Sequence, residues 1–276
     1  MSSIKDRQRA AARARLEKEM AERAAAARKR RQRQAIIGSA IAVVFAAGAT
    51  VWIVSALHDD KKKTAASSTR AGTVTCTWTP AGSSGGKVKD VGTPPTTVPN
   101  VGSAVLTMDT NLGKIAATLD LTKVPCTGAS FAFLSSKKFW DNTKCHRLVN
   151  EASFKVLQCG DPFATGKGYR TTDGQGGPSY TMAEENLPTD TNNPYPAGSI
   201  AMANTGQAGT TGSQFFIVTA DTKLPASYTL LGKITTGLDI VQGVVKAGDD
   251  GAFKASAGGG HPKKELDIKA LTVVGS

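Results

Sequence analysis

Apolar and polar residues alternate along two neighbouring stretches of the chain, residues 104–110 and 114–121. A period of two is typical of a β-strand with one buried face, and the turn at 111–113 predicts that the two strands form a β-hairpin. Further strands are predicted by three shorter apolar runs, at 146–149, 154–158 and 266–274.

A helical spacing of apolar residues occurs at two other places. Pro125 is a favourable first helical residue, and the pattern that follows continues as far as Asp141-Asn142. Its predicted buried face consists of Phe131, Phe133, Leu134 and Phe139. Residues 238–245 predict a second short helix. Many strands with only two short helices indicate a mainly β fold, a closed barrel with helices over its ends.

Residues 199–220 combine two short strands with a glycine-rich loop between them. Glycine permits backbone conformations that other residues avoid, and loops held between strands often carry functional sites. Asn204 and Gln214 stand at the ends of this loop, beside Phe216. An aromatic floor edged by amides suits an apolar ligand carried on a peptide backbone. An ordinary hairpin with a long connection is the alternative interpretation.

A different pattern marks residues 35–57, which contain no charged residue over 23 positions. A helix of this length spans roughly 34 Å, enough to cross a bilayer. Twelve Lys and Arg precede it within residues 1–34, against three at 61–63, which predicts a cytoplasmic N-terminus. A signal peptide cleaved after Val54-Ser55-Ala56 is the alternative, although both the polar start and the apolar run are long for one.

The segments on either side of this apolar run are polar. Residues 1–34 are rich in Ala, Arg, Glu and Lys, which predicts a basic helical tail near a membrane surface or a frayed charged tail. Residues 58–100 are rich in Ser, Thr, Gly and Pro, which predicts an extracytoplasmic linker without a core of its own. Cys76-Thr77-Trp78 interrupts the linker, so this piece could dock onto the domain predicted at 101–276.

The net charge of +12 is typical of a nucleic-acid-binding protein until it is divided along the chain. Residues 1–34 carry +8 and residues 58–100 carry +3, whereas residues 101–276 carry only +1. A nucleic-acid partner requires a basic surface on the folded domain. The charge distribution therefore disfavours nucleic-acid binding.

Metal and cofactor signals are absent from the sequence. The four cysteines include no CxxC pair, and the chain has only three histidines, so the spacing of a zinc site is missing. We expect neither a metal nor a cofactor. An even number of cysteines predicts disulfides if the domain is exported.

Three motifs occur in order along the chain. The first contains Cys145-His146-Arg147-Leu148 and, after it, residues 156–161, VLQCGD. The second and third are MANTG at 202–206 and GSQFFI at 212–217. Over about 103–274 the chain resembles the cyclophilins, which are peptidyl-prolyl cis-trans isomerases. The resemblance implies an eight-stranded antiparallel β-barrel capped by two helices, and isomerisation of Xaa-Pro bonds.

The resemblance also implies roles for individual residues. Arg147 aims its guanidinium at the proline nitrogen, which weakens amide resonance, and Phe216 forms the floor of the proline pocket. Gln158 and Asn204 are the other catalytic candidates, because they hold the peptide backbone and orient the arginine. The substrate-binding candidates are Phe154, Val156, Ala203, Gln214, Leu224 and Tyr228. His146 is expected to be a buried hydrogen-bonding residue and not a base.

This chain departs from the family pattern at several positions of the groove. The stretch between Arg147 and Gln158 is longer, so either Phe154 or Lys155 takes the place of the pocket's phenylalanine. Lys223 stands where tryptophan is frequent, and Tyr228 where histidine is common. These departures bear on affinity for cyclosporin-type ligands and on substrate preference, while the catalytic positions are retained.

The resemblance and the membrane segment together predict an isomerase at the outer face of a cell membrane. Its expected partners are proline-containing peptides and unfolded exported proteins, and it is expected to be a monomer. A non-catalytic module that binds proline peptides is the alternative. In a cyclophilin-like barrel the start of the first helix and the next strand are expected to lie close, which predicts disulfides Cys126–Cys145 and Cys76–Cys159.

Overall fold

A computed structural model gives the fold of residues 72–81 and 86–275, which contain fifteen strands and two helices. The helices are α1 (Pro125–Ser136) and α2 (Leu238–Ala247). The strands are β1 (Thr73–Thr75), β2 (Thr79–Pro80), β3 (Lys87–Lys89), β4 (Thr97–Pro99), β5 (Ser103–Thr110), β6 (Gly113–Asp120), β7 (Thr143–Lys144), β8 (Arg147–Glu151), β9 (Phe154–Cys159), β10 (Gly176–Pro178), β11 (Tyr180–Thr181), β12 (Ser199–Met202), β13 (Phe215–Val218), β14 (Leu230–Thr236) and β15 (Asp267–Gly275).

Nine of these strands form one antiparallel sheet, in the order β7-β15-β5-β6-β14-β12-β13-β9-β8. Its two edge strands, β7 and β8, are consecutive in the chain and separated only by Cys145 and His146. The sheet therefore curls until its edges are joined by two residues. Nine strands replace the expected eight because the segment 143–151 changes partner there. The Cys145 N–H donates to Leu266 on one side and the His146 N–H to Gln158 on the other.

The predicted hairpin is confirmed, with β5 and β6 paired from Ser103–Asp120 to Thr110–Gly113. Helix α1 begins at Pro125 as expected but ends at Ser136, four residues before the predicted end. Lys138 adopts a positive φ of 52°, which no helix continues through. The turn directs Phe139 and Trp140 into the core, where the Trp140 ring lies 4.8 Å from that of Phe131.

Both faces of the strands around the functional motifs are buried. On one face Leu148, Leu157 and Ile217 join the main core under the two helices. On the other face the neighbours along the same strands, Val156 and Phe216 among them, form a second apolar cluster. This alternation follows from the period of two in a strand. It explains why residues 215–218 read as a continuous apolar run.

The segment at 73–99, within the linker that composition predicts, forms four short strands. β1 pairs with β4, whereas β2 pairs with β11 and β3 runs parallel to β10. Cys76 and Val98 are buried, and β1 and β4 both contact α1. The segment therefore docks onto the domain, as Cys76-Thr77-Trp78 indicated, and its contacts with the domain are not limited to these three residues.

The disulfides differ from those predicted. The pairs Cys126–Cys145 and Cys76–Cys159 are wrong, because the structure joins Cys76 to Cys126 and Cys145 to Cys159. Cys145 lies two residues before β8 and Cys159 ends β9, so both are beside the register pair Arg147–Gln158. Cys126 lies in the first turn of α1, which packs against β1 and so comes close to Cys76.

Within residues 72–81 and 86–275, no helix combines the length and apolar character needed to cross a membrane. The apolar run predicted to span a membrane, at 35–57, and the basic tail before it lie outside the described residues.

Candidate active site

Three of the predicted site residues form one row across neighbouring strands. Arg147 on β8 stands opposite Gln158 on β9, and Gln158 stands opposite Phe216 on β13. Side chains directly opposite each other in a sheet point to the same face, with Cβ atoms about 5 Å apart. The register thus brings together a cation, an amide and an aromatic ring, although Arg147 and Phe216 are 69 residues apart in the sequence.

The half-buried guanidinium of Arg147 is fixed by three acceptors. Its Nε donates to the carbonyl of Gly258 at 3.2 Å, its Nη2 to the carbonyl of Ala257, and its Nη1 to Oε1 of Gln158 at 3.2 Å. Burial lowers the pKa of Arg147. A guanidinium carries five N–H groups, so two remain to face a ligand.

The apolar side of the site is the second cluster, which is predicted to receive the proline ring and is called here the proline pocket. Its fully or nearly buried members are Val149, Val156, Tyr195, Ala201, Phe216 and Val218, and its partly buried members are Phe154, Ala203, Leu224, Tyr228 and Leu230. All predicted apolar site residues are therefore in one cluster. Phe154 also places its ring 5.2 Å from the guanidinium carbon of Arg147, which joins the pocket to the row.

Two tyrosines shape the proline pocket beside Phe216. The ring of Tyr228 stands edge-on to that of Phe216, with centroids 5.5 Å apart. The Tyr195 hydroxyl donates to the carbonyl of Tyr228 and accepts from its N–H, both at 2.9 Å. Burial raises the pKa of Tyr195 to about 12, so this hydroxyl stays protonated and keeps its donor at neutral pH.

A relay of amides connects the row to the glycine-containing loop at residues 174–176. Nε2 of Gln158 donates to Oε1 of Gln214 at 2.9 Å, and Nε2 of Gln214 donates to the carbonyls of Gly174 and Gly176, each at 2.9 Å. The amide orientations of both glutamines are thereby determined. Each link restricts the next, so the loop helps to orient Gln158 and, through it, Arg147.

The buried carboxylate of Asp161 holds this loop from beneath. It accepts hydrogen bonds from the N–H groups of Gly174 and Gly176 at 2.6 and 3.2 Å. A Cβ on Gly176 would collide with Oδ1 of Asp161, so only glycine permits this approach. Asp161 lies within a motif that the sequence singled out, but its role became visible only through the fold.

Asn204 lies at the edge of the site and has no hydrogen bond to Arg147. Its Nδ2 donates to the carbonyl of Ser227 at 3.0 Å, and its Oδ1 accepts from the N–H of Gly206. Glu184, which the sequence did not single out, holds the same loop by accepting from the N–H of Gly209 and from the Thr211 hydroxyl.

His146 is buried directly behind the row. The expected burial is confirmed, but the expected hydrogen bond is not, because neither ring nitrogen has a hydrogen-bond partner among the described residues. Burial lowers the pKa of His146 to about 4, against the opposing influence of Asp161 and Asp173. The ring is therefore neutral at pH 7. Its neighbour Cys145 is in a disulfide and offers no thiol.

Within the described part of the chain, no group of three or more His, Cys, Asp or Glu side chains is placed to hold a metal ion. The side chains of the site itself supply one cation with spare donors, two amides and an apolar cluster.

Comparison with known proteins places these features in a family. The family described as cyclophilin type peptidyl-prolyl cis-trans isomerase/CLD matches residues 105–273. A protein of Mycobacterium leprae named probable peptidyl-prolyl cis-trans isomerase B is 41% identical over 175 residues, 59% of this chain and 55% of the relative. Its namesake in Mycobacterium tuberculosis is 41% identical over 180 residues, 61% of this chain and 53% of the relative.

A similar solved structure is a cyclophilin type peptidyl-prolyl cis-trans isomerase of Cryptosporidium parvum, obtained in the presence of the dipeptide Ala-Pro. It has a TM-score of 0.49 and 24% identity, and the match covers 62% of this chain and 99% of that one. The chain spans about half the length of the curated relatives it matches. The family match covers more than half of the chain, and so the chain belongs to the cyclophilin-type peptidyl-prolyl cis-trans isomerases.

Proposed function

We propose that this protein catalyses cis-trans isomerisation of Xaa-Pro peptide bonds. The observation that carries the proposal is the row Arg147–Gln158–Phe216, in which a fixed guanidinium with spare donors lies beside an apolar pocket. Relatives named as peptidyl-prolyl isomerases support it.

The geometry suits the physical demands of the reaction. Amide resonance imposes a barrier of roughly 18–20 kcal/mol on rotation, and no bond has to break. The catalyst must therefore bind the twisted amide more tightly than either planar form. The proline pocket grips the ring, while the guanidinium of Arg147 donates to the proline nitrogen. That nitrogen's lone pair becomes available only when the amide twists, so this hydrogen bond selectively stabilises the transition state.

Turnover of a peptide with one Xaa-Pro bond tests the proposal, measured by exchange NMR with the full chain in detergent micelles. We expect catalysed exchange, reduced about 100-fold by Arg147→Ala, the usual loss when a preorganised donor is removed. Lys269→Ala is the control, because Lys269 is an exposed cation on β15, outside the row. No exchange with the parent would leave only the peptide-binding alternative, whereas equal exchange with Arg147→Ala would overturn the role assigned to Arg147.

We further propose that the chain works at the outer face of a membrane as a monomer that assists the folding of exported proteins. In this arrangement 1–34 is a cytoplasmic tail and 35–57 spans the bilayer. A linker begins at residue 58, and the sheet forms a closed barrel beyond it. Two disulfides that use all four cysteines support an oxidising compartment. Protease added to wall-stripped cells should remove the domain and spare the tail; a mature form starting near Leu57 would contradict the anchor.

A further inference from the structure

The loop between α2 and β15 reaches back to the row. Residues 249–262, called here the arginine loop, supply both backbone carbonyls that fix the Arg147 guanidinium, those of Ala257 and Gly258. The third acceptor, Gln158, belongs to the row itself. Two of the three acceptors therefore lie on a segment outside the named strands of the large sheet, and the position of the guanidinium depends on how that segment is held.

The arginine loop is attached to β8, the strand that carries Arg147. Leu148 and Gly260 exchange both backbone hydrogen bonds, at 2.8 and 3.0 Å, and form an isolated antiparallel bridge. Gly259 has a φ of 68°, and a Cβ there would collide with the carbonyl of Leu148, so only glycine permits this approach. Glu151, at the end of β8, accepts from the N–H of Gly259 at 3.1 Å. The part of the loop next to the two carbonyls is thus fastened to the strand of the arginine.

Asp250 closes the base of the arginine loop. Its Oδ1 accepts from the N–H of Ala252 at 3.0 Å and from the N–H of His261 at 2.8 Å, and its Oδ2 lies 2.8 Å from Nδ1 of His261. The N–H of Asp250 also donates to the carbonyl of His261 at 3.0 Å. A Cβ on Gly260 would collide with Oδ1 of Asp250, so the carboxylate lies inside the bend. One side chain therefore joins the two ends of the loop.

The ring of His261 carries this connection towards the two carbonyls. It stacks on Tyr169 with ring centroids 4.6 Å apart, and it meets Phe253 edge-on at the same distance. Phe253 donates its N–H to the carbonyl of Gly259 at 3.0 Å and accepts from the N–H of Gly258 at 2.9 Å. A continuous set of contacts thus leads from the base of the loop to one of the residues that fix the guanidinium.

We propose that Asp250 is a positioning residue: its carboxylate sets the shape of the arginine loop and, through the loop, the direction of the Arg147 guanidinium. Asp250 is not among the three acceptors of Arg147, so its influence passes through the loop. The inference rests on the proposed function, because it takes Arg147 as the group that acts on the twisted amide. A donor aimed in advance stabilises a transition state without reorganisation. Releasing the loop should therefore slow the reaction of bound peptide and leave binding in the proline pocket nearly unchanged.

The test compares the parent with Asp250→Ala, each as the full chain in detergent micelles, on a peptide with one Xaa-Pro bond. Exchange NMR at saturating peptide gives the rate of isomerisation in the bound state, and fluorescence anisotropy of labelled peptide gives the dissociation constant Kd. We expect the bound-state rate to fall about tenfold and Kd to change less than about twofold, because misplacing a reacting group costs rate and not affinity.

A second readout follows the guanidinium itself and needs no catalysis. The Nε–H signal of Arg147, identified by its absence in Arg147→Ala, should exchange slowly with water in the parent, because this group donates to Gly258 in a half-buried site. In Asp250→Ala we expect exchange about tenfold faster, since the loop opens more often. Amide signals of the large sheet, recorded in the same samples, show that the variant is folded.

Two further variants locate the effect. Asp250→Asn keeps an oxygen for the N–H groups of Ala252 and His261, so both readouts should lie between those of the parent and Asp250→Ala. Asp120→Ala is the matched control, because Asp120 also accepts from an N–H two residues further on, that of Thr122 at 3.1 Å, but at the end of β6. It should match the parent in both readouts.

The outcomes separate this inference from the proposed function. Faster exchange of the Arg147 signal in Asp250→Ala, with a parent that catalyses nothing, would support the positioning role and overturn the isomerase assignment. An active parent whose bound-state rate is unchanged in Asp250→Ala would overturn the positioning role alone. A loss of rate that is equal in Asp120→Ala, or that leaves the Arg147 signal unchanged, would overturn it too.

Discussion

The two sides of the groove are held in place by different means. On one side Arg147, Gln158 and Phe216 lie on adjacent strands of the large sheet, and the disulfide Cys145–Cys159 closes only 14 residues. On the other side residues 79–81 and 86–89 are held by strands of two or three residues, and Cys76–Cys126 bridges 50 residues. The first side follows from the large sheet, whereas the second combines short strand pairs with one covalent link to α1.

Removing the disulfide Cys76–Cys126 should have the largest effect on stability. The chain-entropy model gives a 50-residue loop about 4 kcal/mol of stabilisation, so Cys76→Ser with Cys126→Ser should lower the free energy of unfolding by up to that amount. Denaturant unfolding without reductant measures this effect.

The matched double variant, Cys145→Ser with Cys159→Ser, should separate stability from rate. Its shorter loop predicts about 3 kcal/mol on the same model. Its cysteines flank Arg147 and Gln158, however, so we expect turnover to fall by about tenfold through misplacement of the guanidinium. Turnover should change little in the first double variant, whose cysteines lie away from the row. An equal loss of turnover in both double variants would show that the two sides are not independent.

Because His146 is buried behind the row, its protonation should make the stability of the domain depend on pH. Its pKa is lowered by burial from the usual 6.5 to about 4, so the unfolded chain binds the extra proton first as the pH falls. The contribution of neutral His146 to the free energy of unfolding is therefore fully present above pH 6.5, and it is lost as the pH falls towards 4. The free energy of unfolding should fall by about 3 kcal/mol, because a difference of one in pKa between the folded and unfolded chain corresponds to about 1.36 kcal/mol.

Unfolding free energies at pH 7 and pH 4 test this for the parent and for His146→Gln, which cannot be protonated. The difference between the two pH values should be smaller in the variant by about the amount above. Equal pH dependence in both proteins would show that His146 is not buried in its neutral form.

Much of the row could be predicted from the sequence, because its residues belong to strands with strong patterns. The alternation at 104–121 predicted the first hairpin, and motif order along the chain identified Arg147, Gln158 and Phe216. The row itself is a matter of register between β8, β9 and β13. Sequence indicates that such strands exist, while pairing in space decides which residues face each other.

The short strands of the N-terminal segment, β1 to β4, could not be predicted in the same way. Strands of two or three residues carry no periodicity, and Gly, Ser, Thr and Pro dominate the segment, so its composition is that of a linker. Only Cys76-Thr77-Trp78 signalled docking. The cysteine pairs were wrong because cysteine spacing does not determine connectivity. Nor does the burial of Asp161 show in the pattern of apolar residues.

The most direct test of the central claim is exchange NMR at saturating peptide, which separates the rate of isomerisation in the bound state from affinity. For Arg147→Ala the account predicts a bound-state rate about 100-fold below that of the parent, with Kd changed less than about threefold, because the guanidinium acts on the twisted amide and the proline pocket on the ground state. A large loss of affinity with an unchanged bound-state rate would contradict it.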